Sequence, residues 1–177
     1  MRSVKLAALA AAGVLALAGC ATGNPQVAAY VDGSQISQAQ VDQVSQALAD
    51  TSTDTADTAG GFRSTVVQII IQSKVALKAA EANQIVITET QRDQEIAADQ
   101  TLAALAKNPA STDFINDYVE AKLVVSTEAG QKAFSDQFAK TTVTVNPRLG
   151  TWDPQQGTLV EGTAGGSISS LAPLKQE

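Results

Sequence analysis

FRSTVVQIIIQSKVALKAAEA, residues 62–82, is the most apolar segment of the chain. Val66, Val67, Ile69, Ile70, Ile71, Val75 and Leu77 cover more than one face of a helical wheel, and a helix that is apolar nearly all round belongs at the centre of a domain. The β-branched run Val66 to Ile71 alone would also suit a buried strand. Lys74 to Ala82 continues with strong helix formers, so the segment reads as one long central helix.

Toward the N-terminus, TSTDTADTAGG at 51–61 holds no large apolar residue and reads as a flexible loop. Before it, Val41, Val44, Ala47 and Leu48 recur at helical spacing. Ser37 is placed to cap that helix with Gln40 as its capping-box partner, and Ile36 to staple onto Val41. Asp32-Gly33 is a turn pair, and Val27 to Val31 is a short apolar run.

Toward the C-terminus, Ile85-Val86-Ile87 is an extended link. Thr88 and Gln91 form a second capping box, opening a helix that runs through Ile96, Leu102 and Leu105 to Lys107. Asn108-Pro109 stops it, and Thr112 is the expected cap of the next helix, through Phe114, Ile115, Tyr118, Val119 and Leu123. A last helix from Glu128 to Ala139 places Phe134 and Phe138 four apart on one face. Thr141 to Val145 then alternates threonine with valine, the period of a half-buried strand. This strand and the one at 27–31 bracket the helices, and each would be unpaired without the other. The expected fold is therefore mainly α, with several helices and a small β pairing between strands 27–31 and 141–145. The domain is expected to span 27–150. Residues 151–177, rich in glycine, serine and threonine from Gln155 onward, are expected to form a flexible tail.

Residues 1–19 have the three regions of a signal peptide: Arg2 and Lys5, the apolar run Leu6 to Ala18, and a small-residue ending. Leu17-Ala18-Gly19-Cys20 resembles the bacterial lipobox, in which the cysteine thiol takes a diacylglyceryl group and cleavage exposes an amine that is then acylated. An ordinary cleavage site with an incidental cysteine is the alternative. The lone cysteine of an exported chain is better explained by lipidation, and paired acyl chains anchor stably. Residues 20–26 would then be the acylated Cys20 and its tether, holding the domain at the extracytoplasmic face of the cell membrane.

Of 177 residues, 12 are basic and 18 acidic; with Arg2 and Lys5 removed, 10 basic residues remain against 18, a net charge of −8. That balance excludes the basic footprint of a nucleic-acid binder. With no histidine and one cysteine, the chain lacks the usual general base, Ser-His and Cys-His pairs, Cys/His zinc sites and internal disulfides. No Gly-x-Ser-x-Gly turn or Ser-x-x-Lys pair adjoins a helper residue. Asp113, Asp117 and Glu120 share a helix face, which is the usual pattern of a solvated surface. The residues thus point to no enzyme, no metal, and no cofactor beyond the covalent lipid on Cys20.

Two blocks, VAAYVDGSQISQAQVD at 27–42 and IIQSKVALKAAEANQIVITETQRDQEI at 70–96, resemble the N-terminal domain of the SurA/PrsA group of extracytoplasmic chaperones. The resemblance implies pairing of the first strand with one after the last helix, and binding of unfolded or exported polypeptides without ATP. Gln84 stands where that family usually has glycine, beside Asn83, which suits the left-handed residue of a helix end. Arg92 takes a usually apolar staple position. The 32 residues after Val145 are too few for the parvulin-type isomerase domain the family often carries. NPRLGTWD at 146–153 resembles the ending of short actinobacterial lipoproteins of this type. Its leading reading has Trp152 folded back on the helices and Gly150 in a turn; the other makes Arg148 and Trp152 a peptide-gripping pair. The expected function is a membrane-anchored holdase. The alternative is a non-catalytic adaptor lipoprotein that binds one envelope partner.

Overall fold

The computed structural model describes residues 24–52 and 58–160. Its centre is the expected long helix, α2 (Ala59–Ala82), which buries Val66, Val67, Ile70, Ile71, Val75, Ala76, Ala79 and Ala80. Around it pack α1 (Gln38–Thr51), α5 (Thr112–Val125) and α6 (Glu128–Phe138). The chain is mainly helical, with a small antiparallel sheet built from strands before and after the helices.

In that sheet β1 (Val27–Val31) lies between β2 (Ser34–Ser37) and β3 (Val143–Val145). Ala29 faces Val145 and Val31 faces Val143, which is the pairing the bracketing strands imply. Thr141 and Thr142 fall outside β3, because the Thr141 N–H still bonds to Phe138 O at the end of α6. The buried Asn146 extends the seam: its N–H donates to Ala28 O (2.8 Å) and its Nδ2 to Val27 O (3.0 Å).

β2 is an addition to the sequence reading. Asp32 and Gly33 both have positive φ (48° and 81°), the backbone that a tight hairpin needs, so the turn folds Ser34–Ser37 back onto β1. Ser37 still caps α1, its Oγ accepting from Gln40 N at 3.1 Å. Only this half of the expected capping box forms among the described residues, since Ser37 is already paired with Val27 in the sheet.

Four further expectations are corrected. The loop is shorter than 51–61: α1 includes Thr51, and α2 begins at Ala59 with Thr58 Oγ1 accepting from Gly61 N at 3.3 Å. Gly60 and Gly61 cost about 1 kcal/mol each in a helix, which the cap and the long buried α2 outweigh. Residues 53–57 lie outside the described residues. The helix after Thr88 breaks into α3 (Glu89–Ala98) and α4 (Gln100–Ala106), because Asp99 accepts from Thr101 N and Leu102 N (2.8 and 3.1 Å) and caps a new helix. The capping box of Thr88 and Gln91 itself is complete. Thr112 is not a cap: its Oγ1 donates to Ala106 O and Asn108 O (both 2.9 Å), so the hydroxyl completes the end of α4. Finally, α2 ends with Gln84 in the left-handed conformation (φ 55°), not Asn83 (φ −109°). Ile85 N donates to Ala80 O (2.9 Å) and Gln84 N to Glu81 O (3.3 Å), the paired bonds of a Schellman ending.

The expected tail is also corrected in part. Thr151–Asp153 (β4) and Thr158–Val160 (β5) form an antiparallel hairpin, with Trp152 opposite Leu159. Asp153 Oδ1 accepts from Gln155 N and Gln156 N, and Gly157 (φ 67°) closes the turn. The glycine- and threonine-rich composition that suggests a tail here supplies the turn and an edge of the hairpin. Residues 161–177 lie outside the described residues.

Candidate binding groove

Three helices leave a groove of about 500 Å³ between them. From α2 come Ile69, Gln72, Ser73 and Ala76; from α5, Tyr118, Ala121, Lys122 and Val125; from α6, Gln131, Phe134 and Ser135. Each set repeats at i, i+3, i+4, so each helix turns one continuous face to the cleft. The floor is made of small buried residues, Ser73, Ala76 and Ala121, which keep the helices from filling it. Its sides are half-buried apolar groups: Ile69, Tyr118, Val125 and Phe134. Polar Gln131, Ser135 and Lys122 stand exposed at the rim.

Gly130 sets the distance between α5 and α6. A Cβ there would lie 1.8 Å from the Val124 carbonyl oxygen, so only glycine allows this close approach. Thr127 caps α6 by accepting from Gly130 N at 3.0 Å, which fixes the angle at which Phe134 enters the groove.

Gln72, Phe134 and Ser135 also line a second cavity of about 540 Å³, bounded by Phe138, Ala139 and residues 154–157 of the hairpin turn. The aromatic side chains run in a row, with ring centroids 5.8 Å apart for Phe134 and Phe138 and 6.0 Å for Phe138 and Trp152. The hairpin thus adds one ring, Trp152, to the aromatic row of α6. At the rim, Lys122 bonds to Glu95, which raises its pKa and keeps the cation in place.

Arg148 and Trp152 are not brought together. Trp152 packs against Phe138, and Gly150 takes φ 131° where a Cβ would meet Val160 O at 2.7 Å. Arg148 instead lines a separate polar cleft of about 500 Å³ with Asp42, Arg63 and Asn146. Leu17, Ala18, Gly19 and Cys20 lie outside the described residues. The acidic face is divided: Glu120 lies 3.9 Å from Arg92, while Asp117 stays exposed, with desolvation of its carboxyl raising its pKa against the opposing pull of Lys74. Among the described residues no three His, Cys, Asp or Glu side chains are grouped to hold a metal ion, and no helix is long and apolar enough to cross a membrane.

Periodicity marks Ile69, Tyr118, Val119 and Phe134 alike as apolar, and cannot say which of them stays half-open. The i, i+4 pair Phe134 and Phe138 is the one signal of the groove that the sequence carries. Comparison of the chain with protein-family models, with curated proteins and with solved structures finds no match.

Proposed function

We propose that the protein is a lipid-anchored extracytoplasmic holdase, which covers unfolded segments of exported polypeptides in the groove between α2, α5 and α6. The observation that carries this reading is the groove itself, apolar on its sides and left uncovered by the described residues, with the half-buried Phe134 on one side. An unfolded chain offers apolar side chains for such sides and backbone groups for the Gln131 amide at the rim. The Leu17-Ala18-Gly19-Cys20 sequence supports the anchor, and the two chaperone-like sequence blocks support the class of client. No step of this activity needs a catalytic group.

Light scattering of an aggregating unfolded client tests the reading, with the chain from Ala21 onward added at comparable concentration. Suppression that Phe134→Gln removes, at unchanged secondary structure, is the expected result. Suppression that the substitution leaves intact would remove the groove from the account. No suppression at all would favour the adaptor alternative, whose partner would then be sought in the envelope.

A further inference from the structure

We infer that the polar cleft at the start of α2 faces the bilayer, where Arg148 and Arg63 take the phosphate of a phospholipid headgroup. The inference rests on the lipid-anchor reading of Cys20. Pro25 is part of the cleft wall, and the five steps from Cys20 to Pro25 reach at most roughly 17 Å when extended. A domain held on so short a leash keeps its Pro25 face beside the headgroups, a layer about 5 to 8 Å deep on each side of the hydrocarbon.

The charges in the cleft oppose those of the rest of the molecule. The exported chain carries 18 acidic residues against 10 basic ones once Arg2 and Lys5 are removed, yet the cleft holds two guanidinium groups and one carboxylate, Asp42. Arg63 gives its Nε to Asp42 Oδ1 at 2.7 Å, which leaves its terminal nitrogens for another acceptor. The Arg148 backbone N–H is held by Asn146 Oδ1 (3.1 Å), while its exposed guanidinium makes no ion pair or hydrogen bond among the described residues. A planar guanidinium matches two phosphate oxygens at once. An anionic surface that repels a domain of net negative charge thus attracts this cleft, whose two guanidinium groups outnumber its single carboxylate.

This orientation also places the groove. Along α2, Ile69 and Ala76 lie nine and sixteen residues beyond Gly60, roughly 14 and 24 Å at 1.5 Å per residue. With the start of α2 on the headgroups, the groove stands clear of them and open to passing chains.

The test uses the full lipidated protein in vesicles of phosphatidylcholine with phosphatidylglycerol. Because acylation consumes Cys20, the only native cysteine, a single introduced cysteine takes a fluorophore: Pro147→Cys beside the cleft, or Gln131→Cys at the groove. Headgroup-attached nitroxide should quench the label at 147 severalfold more than the label at 131. Arg148→Glu should reduce that difference, as should salt raised from about 0.1 to about 1 M, where the screening length falls from roughly 10 to 3 Å, the short tether keeping what remains. Equal quenching at the two positions, or a difference that Arg148→Glu leaves unchanged, would overturn the inference while leaving the anchor intact. A wild-type chain that does not float with the vesicles would overturn the anchor, and this inference with it.

Discussion

Leu159 donates its backbone N–H to Oε1 of Gln68 at 3.0 Å, across 91 positions of sequence. One turn further along α2, Gln72 Nε2 donates to Gly157 O at 2.9 Å. Two glutamines on the central helix thus hold the C-terminal hairpin by its backbone and bring Trp152 to Phe138. Replacing both with alanine should cost about 1–2 kcal/mol, a typical net value for two such bonds. Amide exchange at Leu159 should speed up while that of Ile71 stays protected; unchanged exchange at Leu159 would show that the aromatic contacts alone hold the hairpin.

Gln84 holds a left-handed backbone that glycine adopts at no steric cost. Gln84→Gly should therefore stabilise the fold by about 0.5–1 kcal/mol, the left-handed strain it relieves being partly offset by the greater freedom of glycine in the unfolded chain. Urea denaturation measures this, and a loss of stability would contradict the Schellman assignment.

Gly130→Ala should act in the opposite direction. The methyl group would overlap the Val124 carbonyl at 1.8 Å, so α6 must move away from α5, at a cost of about 3 kcal/mol. Thermal melts would register the loss, and client suppression should fall with it because Phe134 moves with the helix. A variant of native stability would mean that the α5–α6 turn has more room than its geometry indicates.

Asp32 ties three elements together: Oδ2 accepts from Lys78 Nζ (2.7 Å) on α2, and Oδ1 from Thr142 N (2.8 Å) just before β3, beside its own place in the hairpin turn. The Lys78 bond first and the Thr142 bond second hold its carboxyl below its ordinary value of 3.8. Because the folded-state pKa is the lower one, the resulting stability is fully present above about pH 4 and is lost as pH falls through the folded value. Asp32→Asn keeps an acceptor for Thr142 and tolerates the positive φ, but gives up the charge that Lys78 meets. Its stability deficit against wild type should be largest near neutral pH and shrink below pH 4. A deficit that is constant with pH would show that Lys78 contributes nothing.

Much of the fold is legible because its signals are local. The Thr88 and Gln91 capping box, the apolar circumference of residues 62–82 and the threonine-valine alternation before Asn146 each lie within a few residues, and each appears in the structure as an element or its end. Two misreadings arise where one side chain chooses between two backbone partners. Asp99 prefers capping a new helix to continuing an old one, and Thr112 bonds back to α4 where its type suggests a cap for α5. Local pattern gives both options similar weight, and neighbouring helices settle them.

By itself the sequence determined a central helix, the helices at 38–51, 112–125 and 128–138 around it, the closing of the first strand on the last of the three-stranded sheet, and the absence of histidine chemistry. These follow from periodicity, turn chemistry and composition, which act over short spans of chain. Only the tertiary structure decided that 151–160 docks as a hairpin, that Trp152 joins Phe138 and not Arg148, and that Ile69, Tyr118 and Phe134 face an open groove. Each of these depends on which surfaces remain after the helices pack. That remainder is set by small residues such as Gly130, Ala76 and Ala121, whose effect is to leave space between helices distant in sequence.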